Sequence, residues 1–137
     1  MSGARLDAVG LIVSDLERSV RFYRAIGLPF PDGAEGSEHG HAEVDVGGGF
    51  RLMLDAEASI ASFDATWKPA EGGDPRAALA LRCPTVGDVD RLYSVALANG
   101  GRGHMAPWDA FWGQRYARLQ DPDGNGVDFY ADIPAKA

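Results

Sequence analysis

Three groups of residues carry the chemistry open to this chain. Trp108 and Trp112 stand four residues apart in the run Pro107-Trp108-Asp109-Ala110-Phe111-Trp112. Two indoles so placed can stack on a planar ligand or hold a cation, each face contributing on the order of 1 kcal/mol. The plainer alternative is local packing of a loop. Asp128 is a lone carboxylate between Val127 and Phe129, at a strand position. It can act as a base, ligate a metal or simply face solvent. If it is buried it needs a partner, and Arg115, Arg118 or a bound cation can serve. His39 and His41 spell His-x-His, a spacing that can chelate a metal on a strand, a weak signal without a third donor beside them. Either histidine alone is an ordinary exposed side chain.

Other features carry less. Trp67 lies in a stretch without sustained period and can cover a ligand cleft or pack in a dimer interface. His104 sits among glycines and is assigned no role. Cys83, between Arg82 and Pro84, reads as a buried structural thiol. Asp121-Pro122-Asp123-Gly124-Asn125 is a turn in which proline presets φ and glycine takes a positive φ. It lacks the downstream glutamate of a calcium loop. No Ser/His/Asp or Cys/His spacing and no phosphate-cradling glycine motif is visible.

These residues need elements to position them. Leu6 to Val13 is apolar and partly β-branched, which predicts a strand. Ser14 with Glu17 three residues later forms a capping box. The stripe Leu16, Val20, Tyr23, Ile26 predicts the helix that follows, and Gly27 its stop. His41, Glu43 and Asp45 alternate with Ala42, Val44 and Val46, a period-2 strand, and Gly47-Gly48-Gly49 turns it into a strand from Phe50 to Leu54. A short helix is expected over 57–62. The plan then restarts. Ala77 to Cys83 predicts a strand, Thr85 with Asp88 a weaker cap, and Val89, Leu92, Ala96, Leu97 a helical stripe. A loop over 102–113 then leads to strands Gln114–Gln120 and Gly126–Ala131 around the Asp-Pro-Asp-Gly-Asn turn. The first module is β-α-β-β or β-α-β-β-β, and the same order recurs about 70 residues on.

The bulk numbers exclude several classes. A chain of 137 residues with 45% hydrophobic and 24% charged residues has a globular composition. No run approaches the roughly 20 apolar residues of a membrane span, and the start of the chain lacks a secretory pattern. Net charge is −7 without a Lys/Arg cluster, so nucleic acid is not the expected partner, and the overall field favours cations. A single cysteine fits a reducing, cytoplasmic setting.

The segment from Val9 to Tyr23 with Ile26-Gly27-Leu28, and the closing Trp112-Gly113-Gln114-Arg115 with Asp121-Pro122-Asp123-Gly124-Asn125, resemble the glyoxalase / bleomycin-resistance / extradiol dioxygenase (vicinal oxygen chelate) superfamily. The resemblance covers nearly the whole chain. The longer run from Ala106 to Tyr116, with Phe63-Asp64 and Trp67, looks like the branch of mitomycin-binding and related antibiotic-sequestering proteins.

The resemblance implies an α+β fold of paired βαβββ modules, with curved mixed sheets forming a cleft, in a homodimer whose clefts both chains line. The expected limits are 5–56 for the first module, 57–75 for the intermodule segment and 76–133 for the second. Enzymes of the superfamily bind a divalent metal, and their ligand positions fall on Ala8 and near Met53, Ala78 and Asp128. Only the last carries a hard donor. The expectation is therefore a non-catalytic protein that sequesters a planar or cationic hydrophobic small molecule. Trp108, Trp112 and Trp67 would stack, Met53 and Tyr116 would shape the floor, and Asp128 and His41 would make polar contacts. No catalytic residue, cofactor or metal is expected. The rival is a metal-dependent lyase or dioxygenase with relocated ligands such as His39, His41 and Asp128, and a third option is a metal-free activity with Asp128 or His41 as base.

Overall fold

The computed structural model describes residues 3–135. The chain forms two compact units, one up to Glu71 and one from Gly72 onward. Both are α+β, each with a mixed sheet.

The first unit holds β1 (Ala8–Val13), α1 (Leu16–Ala25), β2 (His41–Gly47), β3 (Phe50–Ala56) and α2 (Glu57–Ala61). Its sheet order is β1-β3-β2, with β1 parallel and β2 antiparallel to β3. Of the two orders left open by the sequence, this is β-α-β-β among the described residues. The helical stripe is borne out, because Leu16, Val20, Tyr23 and Ile26 are all buried. They share the core with Ala42, Val44, Leu52 and Leu54, the inward set of β2 and β3. Val46, the last apolar member of the alternation, is exposed, since the β2–β3 register shifts between Asp45 and Gly47.

The start of α1 differs from expectation. Asp15, not Ser14, is the N-cap, and its carboxylate accepts from the Arg18 amide at 3.1 Å. A carboxylate at this place also meets the positive end of the helix dipole. The Ser14 hydroxyl accepts instead from the Arg18 guanidinium at 2.8 Å. Gly27 ends the helix with φ 111.

The second unit holds β4 (Ala78–Arg82), α3 (Val86–Ala98), β5 (Arg102–Asp109), β6 (Gln114–Gln120) and β7 (Gly126–Asp132), in the sheet order β4-β7-β6-β5. Thr85 caps α3 as expected, its side chain accepting from the Asp88 amide. Val89 and Ala96 of the predicted stripe are buried, whereas Leu97 is exposed. Val127, Phe129, Ala117 and Leu119 fill the core under α3.

The expected loop over 102–113 is mostly strand. Arg102–Asp109 is the sheet edge, where Pro107 is tolerated because no further neighbour needs its missing N–H. Its pairing with β6 shifts register twice. Arg102 opposes Gln120 and Gly103 opposes Leu119, but Met105 opposes Arg118 and Trp108 opposes Tyr116. Two extra residues have entered β5 between Gly103 and Trp108. Each extra residue alone would turn the following side chains to the other face; two restore the original parity. In the β6–β7 turn, Asp121 is fully buried and accepts from the Asp123 and Asn125 amides and from Asn125 Nδ2, at 2.8–2.9 Å. Gly124, at φ 89, closes that turn.

Candidate functional site

The second unit gathers four of the residues singled out in the sequence. On β6 and β7 the even-numbered residues share the face opposite α3. Cross-strand pairing aligns Arg82 with Tyr130, Tyr130 with Tyr116, and Tyr116 with Trp108. The guanidinium of Arg82 lies 4.8 Å from the Tyr130 ring centre. Tyr130 stacks on Tyr116 at 6.0 Å and 21°. Tyr116 then meets Trp108 and Trp112 edge-to-face at 5.6 and 5.5 Å, and the two indoles lie perpendicular at 6.2 Å. The result is a continuous aromatic row along one sheet face. Trp112 sits in the β5–β6 turn, half exposed, with its Nε1 donating to Gln114 Oε1 at 2.8 Å. Beyond it Phe111 is 97% exposed and touches Trp112 edge-on at 5.0 Å.

Asp128 lies against this row and is buried. The Tyr116 hydroxyl donates to its Oδ2 at 2.7 Å, and Arg118 Nε donates to its Oδ1 at 3.2 Å. Of the partners considered from sequence, Arg118 is therefore the one used. Arg115 turns to the helix side and pairs with Asp90 of α3 and Asp109. Burial, and then the bond to Asp128, push the Tyr116 phenol up to about 12. Tyr116 consequently remains a protonated donor through the neutral range. A cavity opens beside Asp128, lined by Asp74, His104, Arg118, Gln120, Gly126 and Asp128 among others.

The first unit places His41 and Met53 on one face of its sheet. His41 Nδ1 lies 2.6 Å from Asp55 Oδ1 and Nε2 lies 2.8 Å from Glu43 Oε2. Glu43 Oε2 also accepts from Arg51 Nη1 at 2.8 Å, and Arg51 Nη2 donates to Asp7. The bonds to Glu43 and then Asp55 raise the His41 pKa above its ordinary value. Only the protonated ring can donate from both nitrogens, so this ladder favours imidazolium. While it carries that proton the ring is neither a base nor a metal ligand. His39 is exposed. Met53 lies across Gly10, its Cε 3.6 Å from where a side chain there would begin. Trp67, past α2, is half-buried and makes no ring contact among the described residues.

The superfamily resemblance implies a divalent metal, and the residues do not fit one. Ala8, Met53 and Ala78 offer no hard donor, which leaves Asp128 as a single carboxylate where a site needs three or four protein ligands. Among the described residues, no three His, Cys, Asp or Glu side chains are grouped to hold a metal ion.

Sequence reasoning missed Tyr130 and Arg82. Tyr130 shares a face with Asp128 by simple alternation and was within reach of that logic. Arg82 joins the row only through the parallel β4–β7 register, which no local pattern encodes.

Among the described residues, no helix is long and apolar enough to cross a membrane. A family model described as Glyoxalase/Bleomycin resistance protein/Dioxygenase superfamily matches residues 5–129. No curated protein matches the chain in sequence. Solved structures share the fold at low identity. A glyoxalase/bleomycin resistance protein/dioxygenase family enzyme from Burkholderia phytofirmans PsJN is 21% identical with a TM-score of 0.74, over 95% of this chain and 100% of that one. A glyoxalase-related enzyme from Fulvimarina pelagi is 22% identical with a TM-score of 0.74, over 93% and 88%. A lactoylglutathione lyase from Agrobacterium tumefaciens is 19% identical with a TM-score of 0.62, over 95% of each chain.

Proposed function

Because the chain belongs to the Glyoxalase/Bleomycin resistance protein/Dioxygenase superfamily, and because its second sheet carries an aromatic row in place of a metal-ligand set, we propose that it binds and holds a planar hydrophobic small molecule without transforming it. This is the antibiotic-sequestering activity that the bleomycin-resistance part of the family name describes. One observation carries the reading. Tyr130, Tyr116, Trp108 and Trp112 are contiguous, and the carboxylate beside them is already occupied by Arg118 and Tyr116. Sequestration requires stacking surface and shape, with no reactive group. Trp108 is the contributor to remove first, since it meets both Tyr116 and Trp112 and, unlike Tyr116, makes no bond to Asp128.

The test is titration with mitomycin- and bleomycin-class compounds while tryptophan fluorescence is followed. Saturable quenching is expected, weakened at least about fivefold in Trp108→Ala, the loss of roughly 1 kcal/mol of stacking. No quenching up to about millimolar ligand refutes the reading.

A homodimer in the cytoplasm belongs to the same proposal. Phe111 and Trp112 give the exposed apolar surface that a second copy could cover. Sedimentation at the 14.6 kDa of one chain would remove that part. The superfamily also supplies a rival, a metal-dependent lyase or dioxygenase. Stoichiometric divalent metal in protein purified without a polyhistidine tag would favour it over sequestration.

A further inference from the structure

The polar end of the second unit's site has a hydrogen-bonding character of its own. Both Asp128 oxygens accept from protein donors, one from Tyr116 and one from Arg118. The Gln120 side-chain oxygen accepts from Arg102 Nη2 at 3.0 Å. Arg118 commits Nε to Asp128, while its Nη1 and Nη2 meet no acceptor among the described residues. Its side chain is 44% exposed and lines the cavity. His104 lines the same cavity, and the one further acid there, Asp74, is exposed in the segment before β4. The cavity, joined to the aromatic row through Asp128 and its bond from Tyr116, thus offers the spare Nη donors of Arg118, while Asp128 and Gln120 each already accept a protein donor and Asp74 adds one exposed carboxylate.

We infer that this site recognises an oxygen acceptor, a carboxylate or carbonyl carried by a planar aromatic ligand, through the Nη groups of Arg118. The inference rests on the sequestering reading and sharpens it. The ring lies against Tyr116 and Trp108, and its oxygens meet the guanidinium fork, which matches a carboxylate with two parallel hydrogen bonds. Asp128 is then a positioning residue. It holds Nε and so fixes the plane of the guanidinium. A cation approaching Asp128 meets Arg118 rather than a free carboxylate, and the remaining lining acid, Asp74, is exposed and screened by solvent. Local chemistry therefore opposes the cation preference suggested by the net charge of −7.

The test uses the full chain and three matched probes: 2-naphthoate, 2-naphthamide and 2-naphthylmethylammonium, titrated calorimetrically at low salt. The acid should bind at least about tenfold more tightly than the ammonium, with the amide between them, as expected for one charge-assisted hydrogen-bonded contact. Arg118→Met should abolish the acid's advantage and leave amide binding within about twofold. Arg118→Lys, which keeps a charge beside Asp128 but loses the fork, should keep only part of it. Asp128→Asn retains an oxygen for Arg118 Nε and should preserve the acid preference, whereas Asp128→Ala should lose it. An ammonium that binds as tightly as the acid overturns this inference and leaves sequestration standing. An acid preference that survives Arg118→Met overturns the role of Arg118. If none of the three probes binds, this inference fails, and the titration with mitomycin- and bleomycin-class compounds decides the sequestering reading separately.

Discussion

Replacing Asp128 with alanine tests whether the carboxylate at the centre of the site is a structural clamp. The substitution strands the Tyr116 hydroxyl and Arg118 Nε, which donate to Asp128 at 2.7 and 3.2 Å. Their losses are unequal. Tyr116 is half-buried, and a hydrogen bond to a charged acceptor contributes about 1.5–3 kcal/mol. Arg118 is 44% exposed on its side chain and can turn to water, so its share is about 0–1 kcal/mol. Together they give a destabilisation of about 1.5–4 kcal/mol. A double-mutant cycle with Tyr116→Phe isolates the first share. Phenylalanine leaves no hydroxyl for Asp128→Ala to strand, so a coupling of about 1.5–3 kcal/mol is expected. Urea denaturation of the four proteins, followed by circular dichroism and tryptophan fluorescence, measures both quantities. A second readout is spectroscopic. Tyrosinate absorbance should show Tyr116 titrating lower in Asp128→Ala than its native value of about 12, yet still above 10, because burial is the larger cause of the shift. An Asp128→Ala cost below about 0.5 kcal/mol, or a coupling indistinguishable from zero, would refute the clamp.

Asp121→Ala removes three hydrogen bonds from a fully buried carboxylate in the β6–β7 turn and should cost about 2–4 kcal/mol by equilibrium denaturation; a cost under about 1 kcal/mol contradicts that role. His41 has a pKa raised above 6.5, so its stabilisation is fully present below that value and is lost as pH rises through the raised folded-state pKa. At its partial exposure the contribution is under about 1 kcal/mol, and the stability difference between native protein and His41→Gln should shrink towards alkaline pH; a difference independent of pH contradicts the ladder.

How much of this was legible in the sequence depended on whether a signal was local. The stripe Leu16, Val20, Tyr23, Ile26 located α1 because spacing alone determines which helix face is buried. Ala42 and Val44 were readable as inward for the same reason at period 2. The choice between Ser14 and Asp15 as cap was not readable, since adjacent side chains compete for the same amides and geometry decides. β5 escaped notice because Gly103, Ala106 and Pro107 break every strand pattern while an edge strand tolerates them. The choice of Arg118 over Arg115 for Asp128 depended on the β6–β7 register, in which Arg118 faces Asp128 directly and Arg115 belongs to the opposite face. His41 looked like a ligand in isolation. Asp55, the residue that engages its second nitrogen, lies fourteen positions away and is brought alongside only by the β2–β3 hairpin.

The double irregularity of β5 makes the length of that strand a variable in its own right. With unbroken pairing from Arg102 and Gly103 onward, Tyr116 would oppose Ala106; the two added residues deliver Trp108 there instead. With both irregularities kept, removing one residue between Gly103 and Trp108 would swing the indole to the α3 side, whereas removing the two extra residues themselves would restore regular pairing and leave it opposite Tyr116. Relatives could therefore acquire new ligands through short insertions and deletions along this edge, with no change at Tyr116, Arg118 or Asp128. Such a route is open because, among the described residues, no further strand of this sheet pairs with β5 and constrains its length.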